Sequence, residues 1–179
     1  MFKKLLLGLV VAIIVVVGIA AFQPNEFEIS RSINIAASPA QVFAQVSDFH
    51  RWDQWSPWEK MDPNMKRTFE GPPSGEGAVY AWAGSGQVGE GKMTLVKSQP
   101  PELIQIRLDF LKPMKATNLA EFTFTPEDGG ALVTWSMSGR KNLLSKVMCL
   151  FMNMDKMVGG QFDLGLARLK TVVEATTKR

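Results

Sequence analysis

Few residues in this chain are equipped for chemistry, and they are scattered. Among 179 residues there is one histidine, His50, and one cysteine, Cys149. A histidine-based metal cluster therefore cannot form within the chain. His50 stands between Phe49 and Arg51 and reads as a surface or helix-end residue rather than a general base. Cys149 lies in an apolar helical stretch without a neighbouring histidine. It reads as a small buried hydrophobe, not a nucleophile, and a lone cysteine allows no internal disulfide. No Gly-x-Ser-x-Gly elbow is present. Asp53, Glu59, Glu90, Asp109 and Glu121 could supply an acid–base pair, but their strand parity is mostly that of a polar face. Glu90 is expected to form a solvated ion pair with Lys92. Asp155, inside the apolar run Phe151–Met157, reads as outward-facing. No catalytic residue, metal ligand or cofactor is expected.

Gly84-Ser85-Gly86-Gln87-Val88-Gly89 matches G-x-G-x-x-G. In a dinucleotide site that motif must open a helix. Here Glu90 to Leu95 reads as strand, so the glycines are expected to form a hairpin turn.

Binding chemistry has a stronger signal. Three of the five tryptophans fall in Arg51-Trp52-Asp53-Gln54-Trp55-Ser56-Pro57-Trp58. Spaced three apart, Trp52, Trp55 and Trp58 would share one side of a helical turn. Such a group is either a packing anchor or the wall of an apolar site. Met148, Met152, Met154 and Met157 concentrate near the C-terminus, as core filling or as an adaptable lining for greasy ligands.

These side chains need elements to hold them. Phe27, Ile29, Ile33 and Ile35 alternate with polar residues, a half-buried strand. Arg31 falls on its apolar side, either turned outward at a bulge or serving as a polar anchor within a cavity. Ser38-Pro39-Ala40-Gln41 opens a short helix with a capping box and proline at its first position. Further strands are expected at Met65–Phe69, Val79–Trp82, Val88–Val96, Ile104–Phe110, Ala120–Phe124 and Val133–Met137, with an Asp128-Gly129 hairpin between the last two. The total is roughly seven short antiparallel strands. From Asn142 to Thr176 apolar residues recur at helical spacing, predicting one long amphipathic helix interrupted by Gly159-Gly160 and Gly165. The fold class is α+β: a curved antiparallel sheet whose apolar face wraps a long C-terminal helix. That helix is expected to touch the sheet tightly near Gly165 and loosely around Met148–Met157, leaving space for a ligand.

The first 22 residues stand apart. Lys3-Lys4 precedes an unbroken apolar run from Leu5 to Phe22, close to the roughly 20 residues that span a bilayer. The lysines favour a cytoplasmic N-terminus. The expectation is an N-terminal transmembrane helix (1–22), a linker (23–26) and one domain (27–179) on the extracytoplasmic side of the inner membrane. The alternative is a signal peptide cleaved after Gly18-Ile19-Ala20. The net charge of +3 falls to +1 without Lys3 and Lys4 (18 basic against 17 acidic groups), and no basic run elsewhere supports nucleic-acid binding.

Several segments together resemble a family. They are Ile33–Ala37, the Ser38-Pro39 helix start, Val42-Phe43, Asp48, the tryptophan stretch, Ala120–Pro126, Val133–Gly139 and Phe162–Lys170. They resemble the START-related SRPBCC superfamily (polyketide cyclase/dehydrase and lipid transport), particularly its membrane-anchored bacterial type. The resemblance spans Phe27 to about Ala175. It implies the helix-grip fold, with a hydrophobic cavity between sheet and C-terminal helix. It carries no catalytic set onto these residues, and the metal ligands of oxygenase members have no counterpart here. The expected function is membrane-tethered binding of an apolar or amphipathic small molecule, such as a lipid. Trp55, Trp58, Trp82, Ile106, Phe122, Trp135, Met137, Met148, Met152 and Phe162 are expected to line the pocket. The alternatives are a cyclase- or hydrolase-type enzyme and a ligand-free interaction domain.

Overall fold

Period-two alternation becomes sheet wherever the sequence carries it. In the computed structural model, which describes residues 2–86 and 88–177, strands β1 (Glu26–Ile35), β2 (Lys66–Glu70), β3 (Val79–Ala83), β4 (Glu90–Gln99), β5 (Leu103–Lys112), β6 (Ala116–Glu127) and β7 (Gly130–Arg140) form one sheet. Its order is β1-β7-β6-β5-β4-β3-β2, and every neighbouring pair is antiparallel. The Asp128-Gly129 turn closes β6 on β7 with Glu127 opposite Gly130. The glycine-rich segment after β3 is a turn between two strands, as its flanks require: Gly84 N–H donates to Gly89 O, and Gly89 N–H to Ser85 O. Gln87 of that motif, and the terminal residues Met1, Lys178 and Arg179, lie outside the described residues.

Helix α1 spans Phe2–Ala21, and α2 spans Pro39–Val46. The capping box forms as its residues predict: Ser38 Oγ accepts from Gln41 N–H, and Gln41 Oε1 accepts from Ser38 N–H at 3.0 Å. Each satisfies a backbone donor that the helix start would otherwise leave orphaned.

The C-terminal region is not one uninterrupted helix. Helix α3 covers Leu143–Phe151, a π-helical turn covers Asp155–Gly159, and α4 covers Gly160–Thr177. The break comes at Met152, whose backbone is extended (φ −124°, ψ 127°), before the glycine pair where an interruption was expected. Asn153 restarts the chain: its Oδ1 accepts from Lys156 N–H at 2.9 Å, the role a short polar side chain plays at a helix start. The apolar spacing runs through the break unchanged, so periodicity alone does not reveal it.

The core lies between the apolar sheet face and the helices α2 and α4. Leu95, Ile104, Ile106, Phe122, Phe124, Val133 and Trp135 come from the sheet, and Phe162, Leu166, Leu169 and Val173 from α4. All are buried. The residues of α4 recur at three- and four-residue steps and so present one stripe to the sheet.

Candidate functional site

At the centre of the interface the rings of Trp55, Trp58, Phe122, Trp135 and Phe162 meet. Trp135 on β7 stacks on Phe162 of α4 at 4.1 Å between centroids and 11° between planes. Trp135 also stacks with Phe122 of β6 at 4.8 Å. Trp55 and Trp58 each meet Trp135 edge-on at 5.6 Å. Edge-to-face and offset contacts at these spacings are the favoured geometries of aromatic pairs.

The tryptophan stretch reaches this cluster by an irregular path. Trp52 belongs to a 3-10 helix, Phe49–Gln54, capped by Asp48, whose Oδ1 accepts from His50 N–H. Trp55 ends that helix, and Trp58 opens a second short one, Trp58–Lys60. The three therefore do not sit on one helical turn. Trp52 ties its segment to α2 by donating from Nε1 to Val46 O at 2.9 Å. Trp55 and Trp135 are buried, yet their Nε1–H groups have no partner among the described residues. A buried donor left unpaired costs about 1–3 kcal/mol.

Ile106 and Met137 are buried in the same core, next to the aromatic cluster in sequence parity. Trp82 lies farther along the sheet. It packs beside Tyr80 and Phe110 and donates from Nε1 to Val88 O at 3.0 Å. Met148 on α3 and Met152 at the break do not join the buried cluster and are exposed. The tight approach of helix to sheet is at Gly165, where a Cβ would lie 2.8 Å from Trp135 Cζ3 and 3.2 Å from Pro57 Cδ.

The charged side chains named from the sequence are found in separate local pairings. Glu59 is buried, and its Oε1 accepts from Tyr80 Oη–H at 2.5 Å. Arg67 Nη1 lies 3.1 Å from Glu59 Oε2, near enough for charge pairing but not aligned as a hydrogen bond, so Oε2 keeps acceptor capacity. Burial first, then the hydrogen bond to Glu59 and its charge, push the Tyr80 phenol well above its ordinary value; Arg67 opposes this. Sequence parity named Glu59 only as one carboxylate among several. Its partners Tyr80 and Arg67 arrive from separate strands, β3 and β2.

Arg31 is not turned outward at a bulge, because β1 pairs with β7 residue by residue without a register shift. Its side chain leaves β1 towards the C-terminal helices, pairing with Asp155 at 2.9 Å and Asp163 at 3.2 Å. Asp155 does face outward, as its sequence position suggested. Gly159 gives the guanidinium room, since a Cβ there would collide with it. His50 is surface-placed, stacked on Phe69 at 4.1 Å and 3.0 Å from Asp48 Oδ1. Glu90 pairs with Lys112 across the β4–β5 ladder at 2.8 Å rather than with Lys92, which sits opposite Asp109.

Two surface concavities lie outside the aromatic cluster. One, about 170 Å³, is lined by residues including Phe49, His50, Phe69 and Pro73. The other, about 430 Å³, lies where β1 begins and β7 ends. Among the described residues no group of three His, Cys, Asp or Glu side chains is placed to hold a metal ion.

A seven-stranded antiparallel sheet closed by a C-terminal helix over an aromatic interior is the helix-grip architecture. Residues 26–174 match the family described as polyketide cyclase / dehydrase and lipid transport, and the chain belongs to that family. Among curated proteins none matches the chain. Solved structures share the fold. A protein from Chromobacterium violaceum is 15% identical, with 85% of this chain and 99% of that one covered and a TM-score of 0.56. The Aha1 dimer from Colwellia psychrerythraea is 14% identical, over 83% of this chain and 96% of that one, with a TM-score of 0.58. The di-domain ARO/CYC StfQ from the steffimycin biosynthetic pathway is 11% identical, over 86% of this chain but 52% of that one, with a TM-score of 0.63.

Proposed function

We propose that this chain is a membrane-tethered binding domain for an apolar or amphipathic small molecule of lipid-like character. The molecule is held between the sheet and α4, and α1 is the anchor that keeps the domain on the extracytoplasmic side of the inner membrane. The observation that carries the binding reading is the pair of unpartnered indole N–H groups, Trp55 Nε1 and Trp135 Nε1, in an otherwise apolar cluster. A hydroxyl or carbonyl on an entering ligand would recover the hydrogen bonds these donors lack, while its apolar body replaced ring–ring contact. Trp55, Trp58, Phe122, Trp135 and Phe162 are then the primary lining, and Met137 and Ile106 support it. The family description and the exposed apolar flank of α1 support the same reading.

A second reading has its own observation. The close stacking of Trp135 on Phe162 is what a permanently filled core would show, and it favours a ligand-free interaction domain. The enzyme alternative is weaker, because the buried carboxylate Glu59 is already engaged by Tyr80 and Arg67.

Tryptophan fluorescence of the full chain in detergent, titrated with fatty acids, sterols and planar aromatics, decides between carrier and filled core. A saturable shift that is largely lost in Trp135→Phe supports the carrier. No saturable response across the panel removes it. The anchor is tested separately. The chain should resist alkaline extraction from membranes, and a mature soluble product beginning at Ala21 would overturn the tether.

A further inference from the structure

Helix α1 is followed by only four residues, 22–25, before β1 begins. Fully extended, four residues reach about 14 Å at most. The start of β1 is fixed beside the end of β7, with Glu26 opposite Arg140 and Lys141 N–H donating to Asn25 O at 2.6 Å. Helix α3 begins at Leu143, immediately beyond that same strand end. The chain therefore leaves the sheet for α1 and for α3 from one place, and the two helices pack against each other. Lys146 makes the contact polar where it must be. It is buried, and its ammonium donates to the carbonyl of Ala21, the last residue of α1, at 3.4 Å. A cation suits that position, where helix carbonyls are left unpaired.

One side of α3 is apolar and exposed, with Leu144, Met148 and Phe151 following at four- and three-residue steps, while Val147, Cys149 and Leu150 are half-buried. Leu143 is 50% exposed, Leu144 57% and Phe151 75%, and Phe22, which follows α1 directly, is 94% exposed. Met148 and Met152 continue the patch. Its sequence, Leu-Leu-Ser-Lys-Val-Met-Cys-Leu-Phe, contains no acidic residue. Arg140 and Lys141 precede it and Lys156 follows, while the nearby Asp155 is engaged by Arg31. Isolated surface leucines need no explanation, but a contiguous patch of this kind marks an interaction surface.

From this we infer that α3 lies in the surface of the same bilayer that α1 enters, its apolar side among the lipid acyl chains and its flanking Arg140, Lys141 and Lys156 at the phosphates. Continuity with α1 selects the occupant. A helix packed against the exit of a transmembrane span, a few residues from the bilayer, has lipid as its nearest apolar phase. Basic residues at its ends match anionic headgroups. The inference rests on the reading of α1 as a membrane span and deepens the proposed function. Held in this way, α3 leads through the extended break at Met152 to the helix that carries Phe162. An apolar ligand would then pass between bilayer and aromatic interior without crossing bulk water.

The test uses the full chain in vesicles of phosphatidylcholine and phosphatidylglycerol. Single cysteines at Val10, Leu144, Phe151 and Asp128 are placed in a Cys149→Ser background and labelled with an environment-sensitive fluorophore. Asp128 lies at the far end of β7, roughly 36 Å away along eleven strand residues. Lipids carrying a shallow spin-label quencher should quench the Leu144 and Phe151 labels several-fold more than the Asp128 label, and a deep quencher should reach Val10. If Val10 is quenched while Leu144 and Phe151 match Asp128, the anchor stands and the docking of α3 is overturned. If Val10 too behaves as Asp128, the membrane span fails and takes the inference with it. All four sites are exposed, so misfolding does not cloud the outcome.

Discussion

Gly165 carries the backbone of α4 onto the indole of Trp135, so closely that a Cβ there would lie 2.8 Å from Trp135 Cζ3. The glycine sets how near the helix approaches the sheet and hence how tightly Trp135 is pressed against Phe162. In a helix interior glycine costs about 1 kcal/mol relative to alanine, a cost offset only where a side chain would not fit. Gly165→Leu is expected to lower stability by about 1–3 kcal/mol or more through overpacking, read as a lower urea midpoint for the full chain in detergent. An unchanged midpoint would show that the helix can retreat freely.

Phe162 and Met152 should behave oppositely. Phe162 is buried and stacked, so Phe162→Ala is expected to cost about 3–5 kcal/mol. Met152 is 39% exposed on an extended segment, and Met152→Ala should stay within about 0.5 kcal/mol. Comparable losses for both, in the same denaturation series, would place Met152 in a packed environment that its exposure contradicts.

These contrasts mark what the sequence could and could not disclose. Alternation located β1, β5, β6 and β7, because one buried face imposes a period of two on the residues themselves. Trp135 was legible as inward for that reason, sharing parity with Val133 and Met137. Ser38 and Gln41 were legible because a capping box is local. The break at Met152 was hidden, since methionine continues the apolar period whether or not the helix does. The partners of Arg31, and the enclosure of Glu59 by Tyr80 and Arg67, are contacts between distant segments that no local pattern encodes. The α1–α3 contact was hidden too, because Lys146 looks like any helical lysine until Ala21 is placed beside it.

Arg31 should make stability depend on acid in a specific way. The hydrogen bond from Arg31 holds the Asp155 carboxyl below its ordinary value of 3.8, partly opposed by burial and aided by the Arg31 charge. A depressed carboxylate contributes stability that is present above its unfolded-state value and lost as pH falls through the folded one. The urea-midpoint difference between wild type and Arg31→Gln should therefore be constant from neutral pH down to about 5 and shrink below about 4. Asp62 and Asp109, also depressed, act in both proteins and cancel. A difference undiminished at the acid end would mean that Arg31 stabilises by packing against Gly159, not by its charge.

Tyr80 offers the cleanest optical test, because it is the only tyrosine in the chain. Burial, and then the hydrogen bond to Glu59 and its negative charge, raise the phenol well above its ordinary value of 10.0. With a raised value the sign is the reverse of that for Asp155: the contribution is complete below pH 10 and is lost as pH rises further. The ultraviolet band of phenolate should stay absent in alkali until the circular dichroism signal of the fold is lost, and the two should then move together. Glu59→Gln removes the neighbouring charge, so its phenolate should appear at lower pH while the fold persists. Tyr80→Phe strips Glu59 of its donor and is expected to cost about 1.5–3 kcal/mol, the range for hydrogen bonds to a charged group. A folded wild-type protein that titrates with a midpoint near 10 would show Tyr80 open to water. The Glu59–Tyr80–Arg67 arrangement would then be a surface feature, and the burial of Glu59 and Tyr80 would not hold in solution.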